Sequence, residues 1–273
     1  MRAVLLALVL LSAVSIVAPI SAQTYPSMRP IPRTTSLPAL RALALRREIH
    51  ERFTLGLDAE AKNAWSKAIP EFERIVALRP AEPLGSTAQY DLALAYAHLR
   101  RYGAAAHALQ AAIALDPGFL AAMANLVSVD LARNDRTGAR AIAERFVRLA
   151  PMSARALYAR GIVALRSGDA ATARAVFGQL LRNDPSYALA HYDLGLAEEK
   201  MAKYDDAVTE FTAALQLAPS YARARFALGA VLLRQGKRAE ARGDFARVAS
   251  DANGDPSLRT LASAMRDSIS AHK

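Results

Sequence analysis

Apolar residues fall at helical spacing along most of this chain. Leu37, Leu40, Leu43 and Leu45 give an apolar face to a predicted helix that opens at Ser36, with Ser36 as N-cap and Pro38 in its first turn. Leu258, Leu261, Ala262, Met265 and Ile269 form a single stripe on a last predicted helix, for which Asp255 is the N-cap and Pro256 the opening residue. Between these two helices the pattern of apolar, small and polar positions repeats. Pro117, Pro151, Pro185 and Pro219 are spaced 34 residues apart, and the residues between them recur in kind. A period of this length fits two short antiparallel helices, a unit that cannot bury its apolar face alone and stacks on copies of itself.

The copy from Ala188 to Tyr221 is the most regular. It reads His191-x2-Leu194-Gly195-x2-Glu198, then Ala207-x3-Phe211-x2-Ala214, then Pro219. This resembles the tetratricopeptide repeat, whose pattern is Trp-x2-Leu-Gly-x2-Tyr, then Ala-x3-Phe, then Pro. The resemblance covers residues 49–253 and implies an all-α, right-handed solenoid of about six helical hairpins, with residues 256–273 as a C-terminal capping helix and tail.

Six repeats are expected over 37–255, at about 49–82, 86–119, 120–153, 154–187, 188–221 and 222–255. The first carries Pro70 where its second helix should be under way, which predicts a late start or a bend. Three additional residues, Pro83 to Gly85, lengthen the connection to the second repeat. The third is the least faithful, with Val127 at the glycine position and Ala143 in place of the large ring. Gly161, Gly195, Gly229 and the alanines Ala105, Ala139, Ala173, Ala207 and Ala241 read as close-packing positions. Phe177, Phe211 and Phe245 are expected to fill the gaps between successive hairpins.

The N-terminal 36 residues follow a different logic. Arg2, an apolar run from Ala3 to Val17, Pro19 and a small residue at Ala22 read as a secretory signal cleaved after Ala22. That run of about 15 residues is shorter than the roughly 20 needed to span a bilayer. Residues 23–36 hold Pro26, Pro30, Pro32, Arg29 and Arg33 and no acidic residue, a Pro/Arg-rich linker. A periplasmic or secreted location without a stable membrane anchor is therefore expected. Arginine outnumbers lysine about five to one, in keeping with a GC-rich bacterial genome.

Little in the sequence points to catalysis. There is no cysteine, which excludes disulfides, thiolate metal sites and a cysteine nucleophile. The five histidines, His50, His98, His107, His191 and His272, show no metal-ligand spacing, and His191 falls at a packing position. No Gly-x-Ser-x-Gly elbow is present. A non-enzyme without cofactor or metal is expected. The net charge of +10 raises nucleic-acid binding, but Asp169, Glu198, Glu210, Glu240 and Asp244 interrupt any basic stripe.

The resemblance implies a groove lined by the first helix of each repeat, with the residue after the tryptophan position pointing into it. Those positions hold Phe53, Tyr90, Ala124, Tyr158, Tyr192 and Phe226, an aromatic ladder. One turn on lie Leu57, Leu94, Ser128, Ile162, Leu196 and Ala230. The bland alternative is that these rings stabilise the stack. Arg155, Arg166, Lys200, Arg223 and Arg234 edge the ladder and favour a partner with carboxylates beside apolar side chains. The lysine–asparagine pairing of the family's carboxylate-clamp members is absent. The expected function is thus a non-catalytic protein–protein interaction module of the bacterial periplasm or envelope, holding a peptide or extended segment in that groove. The alternatives are a scaffold subunit of an envelope-assembly or export complex acting through its convex surface, or a binder of anionic polymer.

Overall fold

The computed structural model describes residues 36–271; the expected signal segment and most of the linker lie outside the described residues. Within them the chain is all-helical, with thirteen α-helices and no strand. They are α1 (Leu37–Ala61), α2 (Trp65–Ala77), α3 (Leu84–His98), α4 (Tyr102–Leu115), α5 (Leu120–Ala132), α6 (Arg136–Leu149), α7 (Ala154–Arg166), α8 (Ala170–Asn183), α9 (Ala188–Lys200), α10 (Tyr204–Leu217), α11 (Ala222–Arg234), α12 (Arg238–Ser250) and α13 (Pro256–Ala271). The sequence reads as one continuous array; the structure groups it into two compact units that divide between Leu149 and Ala150. Within each unit every helix packs on the next in sequence. In the second unit the first helices α7, α9 and α11 also touch in series, forming one face.

Each hairpin is closed by a three-residue turn, and the middle residue of each turn takes a left-handed conformation. Asn63, Arg100, Asn134, Gly168, Ala202 and Gly236 occupy this place, with φ of 54°, 57°, 62°, 87°, 59° and 79°. Such a residue reverses the chain at a helix C-terminus, and glycine or asparagine takes it at least cost.

The packing positions follow the repeat. Ala68, Ala105, Ala139, Ala173, Ala207 and Ala241 have no solvent exposure. A Cβ added to Gly56, Gly161, Gly195 or Gly229 would stand 2.6, 2.5, 2.6 or 3.1 Å from the ring of Phe72, Phe177, Phe211 or Phe245. Each ring therefore fills space inside its own hairpin, against that hairpin's glycine, rather than only the gap between hairpins. Only glycine leaves room for it. The third repeat exchanges the two sizes, with Val127 and Ala143 both buried, and Met123 and Phe146 buried beside them. Volume moved from one helix to the other keeps the interior filled.

Three local expectations are corrected. The helix opening after Ser36 and the first helix of repeat one are a single 25-residue helix, α1, and Ser36 makes no side-chain cap bond. The first half of α1 leaves Leu37, Leu40 and Leu45 exposed. Pro70 does not delay its helix: α2 starts at Trp65 and runs through it, with Ala68 and Phe72 fully buried in register. At the other end Asp255 caps α13 as expected, its Oδ1 accepting from the N–H groups of Ser257 at 2.8 Å and Leu258 at 3.3 Å. Leu258 and Ala262 are buried where α13 packs on α12.

Candidate functional site: a tyrosine–aspartate–arginine cluster

In the second unit, α7 brings Tyr158 and α9 brings Asp193 together. The Tyr158 hydroxyl donates to Asp193 Oδ2 at 2.7 Å, across a sequence separation of 35 residues. Asp193 is almost wholly buried. Burial pushes its carboxyl up to about 7, against the opposing pull of the Tyr158 hydrogen bond and the nearby Arg166 guanidinium. Burial first, then the neighbouring Asp193 charge, holds the phenols of Tyr158 and Tyr192 well above the usual range.

Two further rings complete the cluster. Tyr187 and Tyr221 each follow a repeat proline by two residues and precede the next first helix. Tyr187 stacks on Tyr158 with centroids 5.5 Å apart, and Tyr221 rests on Tyr192 at 5.0 Å. Arg155 lies close enough to Tyr187 to favour its charged form, and Arg223 does so for Tyr192 and Tyr221. Tyr158, Tyr187, Tyr221 and Arg223 are half-buried and Arg155 is exposed. Phenols, apolar ring faces and guanidinium groups thus share one accessible patch, with a buried carboxyl holding the first tyrosine in place.

The same pair of positions is bonded in the first unit with the direction reversed, Asn125 Nδ2 donating to the Tyr90 hydroxyl at 3.0 Å, again 35 residues apart, and Tyr90 rests on Phe119 at 5.0 Å. A ring on one repeat's first helix bonded to an Asx on the next is therefore a repeated joint.

A family model described as tetratricopeptide repeat matches residues 53–118, 125–188, 158–201 and 192–256. The chain belongs to the tetratricopeptide repeat family. No curated protein matches the sequence. Among solved structures, a tetratricopeptide repeat protein from Parabacteroides merdae is 16% identical with a TM-score of 0.69, covering 82% of this chain and 90% of its own. PilF of Pseudomonas aeruginosa is 16% identical with a TM-score of 0.64, covering 84% and 100%. A thermophilic tetratricopeptide repeat protein of Thermus thermophilus is 21% identical with a TM-score of 0.59, covering 66% and 98%. At these identities the likeness is one of fold. Proteins built of this repeat are interaction modules, and the fold makes protein partners the general expectation for this chain.

The repeat register shows where each predicted groove residue goes. Tyr158 and Ile162 on α7, Leu196 on α9 and Arg155 and Arg223 keep some exposure in the second unit. Tyr192 is largely buried, and Phe53, Tyr90, Leu94 and Phe226 are buried outright. Those four are core side chains here; Phe53 packs edge-on against Phe72 at 6.1 Å, Phe226 edge-on against Phe245 at 5.1 Å, and Tyr90 against Phe119 at 5.0 Å. Of the predicted basic edge, Arg234 is engaged, with its Nη1 3.5 Å from Glu199 Oε1 and its guanidinium 5.9 Å from the Tyr204 ring. His191 is satisfied, its Nδ1 2.7 Å from Glu210 Oε2 and its Nε2 3.1 Å from the Pro185 carbonyl oxygen. Sequence reasoning missed Asp193, Tyr187 and Tyr221. A partial signal was present: Asp91 and Asp193 follow two of the six ladder positions, and Phe119, Tyr187 and Tyr221 stand two residues after Pro117, Pro185 and Pro219.

Proposed function

We propose that this chain is a non-catalytic protein-binding module that works outside the cytoplasm and holds an extended segment of a partner against the α7–α9–α11 face. The supporting observation is the accessible patch of Tyr158, Tyr187, Tyr221, Arg155 and Arg223 around buried Asp193. Ring faces take apolar side chains, and two guanidinium groups take a carboxylate beside them. Export is the reading of the first 22 residues, and no helix among the described residues is long and apolar enough to cross a membrane. The burial of Phe53, Tyr90 and Phe226 favours, as a second reading, a scaffold that works through its outer surface.

Peptides selected from a random display library on the full chain test the first reading. They should carry an acidic group next to aromatic or aliphatic residues, and lose at least about tenfold in affinity for Arg155→Glu with Arg223→Glu. Arg155 is exposed and Arg223 half-buried, and an unchanged circular dichroism spectrum checks that the fold is kept. Equal affinity for the charge-reversed chain would move the working surface elsewhere. N-terminal sequencing of the exported protein should begin at Gln23.

A further inference from the structure

The first unit contains two buried carboxylates whose repeat counterparts in the second unit have a guanidinium or a tyrosine hydroxyl beside them, groups that the first unit does not place at those positions. Glu60, in the last turn of α1, occupies the position of Glu199; Asp91, on α3, occupies that of Asp193. Glu60 and Asp91 are 5% and 4% exposed. Both oxygens of Glu60 are buried without a hydrogen-bond partner. Burial holds the carboxyls of both above their usual range, and the neighbouring Glu60 charge raises Asp91 further.

The counterparts show what these positions accept. Glu199 has the Arg234 guanidinium at 3.5 Å as a counter-charge, although its Oε1 makes no hydrogen bond, and that guanidinium also lies over the Tyr204 ring. At the position of Arg234 the first unit has His98, and at that of Tyr204 it has Trp65. His98 stacks flat on Trp65, centroids 3.7 Å apart, and burial lowers its tendency to carry charge. Asp193 receives the Tyr158 hydroxyl, whereas Phe53 at the matching place has none to give. Lys62, Arg52 and Arg74 of the same repeat pair with other acids, Asp58 at 2.6 Å, Glu71 at 2.8 Å and Glu48 at 2.8 Å. A buried carboxylate without a counter-charge is costly.

We propose that the Glu60–Asp91 pair is a binding subsite for a cationic side chain, lysine or arginine, of a partner polypeptide. A cation on a long apolar stem suits a water-poor pair of carboxylates better than a hydrated inorganic ion, and among the described residues no group of three or more His, Asp or Glu is placed to hold a metal. This subsite stands apart from the tyrosine cluster and does not depend on it.

The test is a random peptide display selection on the full chain, repeated on Glu60→Gln and on His98→Arg. Glu60→Gln removes the charge; His98→Arg supplies from within the guanidinium that Glu199 already has. Neither substitution opens a cavity, and a melting curve checks that each is folded. Peptides selected on the native chain should be enriched in lysine or arginine, and replacing that residue with citrulline or norleucine should weaken binding about tenfold or more. Both variants should lose the enrichment, while Arg155→Glu with Arg223→Glu should retain it. A selection without basic enrichment, or basic peptides that bind Glu60→Gln and His98→Arg as tightly as the native chain, overturns the subsite. Neither result bears on the tyrosine cluster, whose own variant reports on it.

Discussion

Glu60 and Glu199 occupy one position of the repeat, Asp91 and Asp193 another, and the two units treat them differently. In the second unit a tyrosine hydroxyl bonds Asp193, and a guanidinium stands 3.5 Å from Glu199 as its counter-charge. In the first unit Phe53 and His98 stand where those donors would be, and Glu60 is left without a partner. The scaffold is shared; the difference lies in two neighbouring side chains. A repeat protein can thus keep a polar position and change its meaning by altering what the next repeat presents to it.

The largest effect should come where the units agree. Gly195→Leu and Gly56→Leu both drive a side chain into a ring, Phe211 or Phe72, that would meet even a Cβ at 2.6 Å. Each should cost about 1–3 kcal/mol or more by chemical denaturation, against little for Gly118→Leu in an exposed connection. Unequal costs for the two glycines would mean that the hairpins are not equivalent.

Where the units differ, Tyr158→Phe turns the second into a copy of the first and should cost about 1–3 kcal/mol, since Asp193 loses its donor while still buried. The reverse change, Phe53→Tyr, should cost far less. A neutral Tyr158→Phe would break the comparison.

Acidity sharpens it further. The folded chain keeps protons on Glu60 and Asp193 up to about pH 7 and on Asp130 to about 6, while an unfolded chain releases them near pH 4. The folded state binds more protons across that interval, so stability falls as pH rises through it. Melting temperature should be higher at about pH 5.5 than at about pH 7.5, and Glu60→Gln should flatten that difference and raise the melting point at the higher pH. A melting point that climbs steadily with pH would contradict the burial of these groups.

The smallest effect belongs to the turns. Ala202 holds φ of 59° where the fourth and sixth repeats have Gly168 and Gly236. Ala202→Gly should stabilise by about 0.5 kcal/mol, the relief of left-handed strain exceeding the added chain entropy. Loss of stability on denaturant titration would show that the alanine suits its turn.

The period, the glycine and alanine positions and the capped last helix were legible because each depends on spacing within a hairpin. Pro70 misled because its neighbours Ala68 and Phe72 anchor α2 on both sides, and burial outweighs one missing backbone bond. The ladder was legible as a register and not as a surface. Phe53 and Tyr158 both pack on their own hairpin's ring, Phe72 or Phe177, yet only Tyr158 keeps some exposure, a difference that sequence spacing alone does not weigh. Asp193 was hidden for the same reason: its partner lies a full repeat away.

The connections inside the hairpins, 62–64, 99–101, 133–135, 167–169, 201–203 and 235–237, all have the same length, whereas those between hairpins vary, the one at 78–83 being longest. The joints Tyr90–Asn125 and Tyr158–Asp193 tie the first helix of one hairpin to the first helix of the next. An insertion inside a hairpin would displace its glycine from its ring, while the added length before the second repeat, expected at Pro83 to Gly85 but shared between the connection 78–83 and the start of α3 at Leu84, leaves both in place. For a gene that grew by duplicating whole units, the seams between copies are where length drifts and where new sequence can be accommodated.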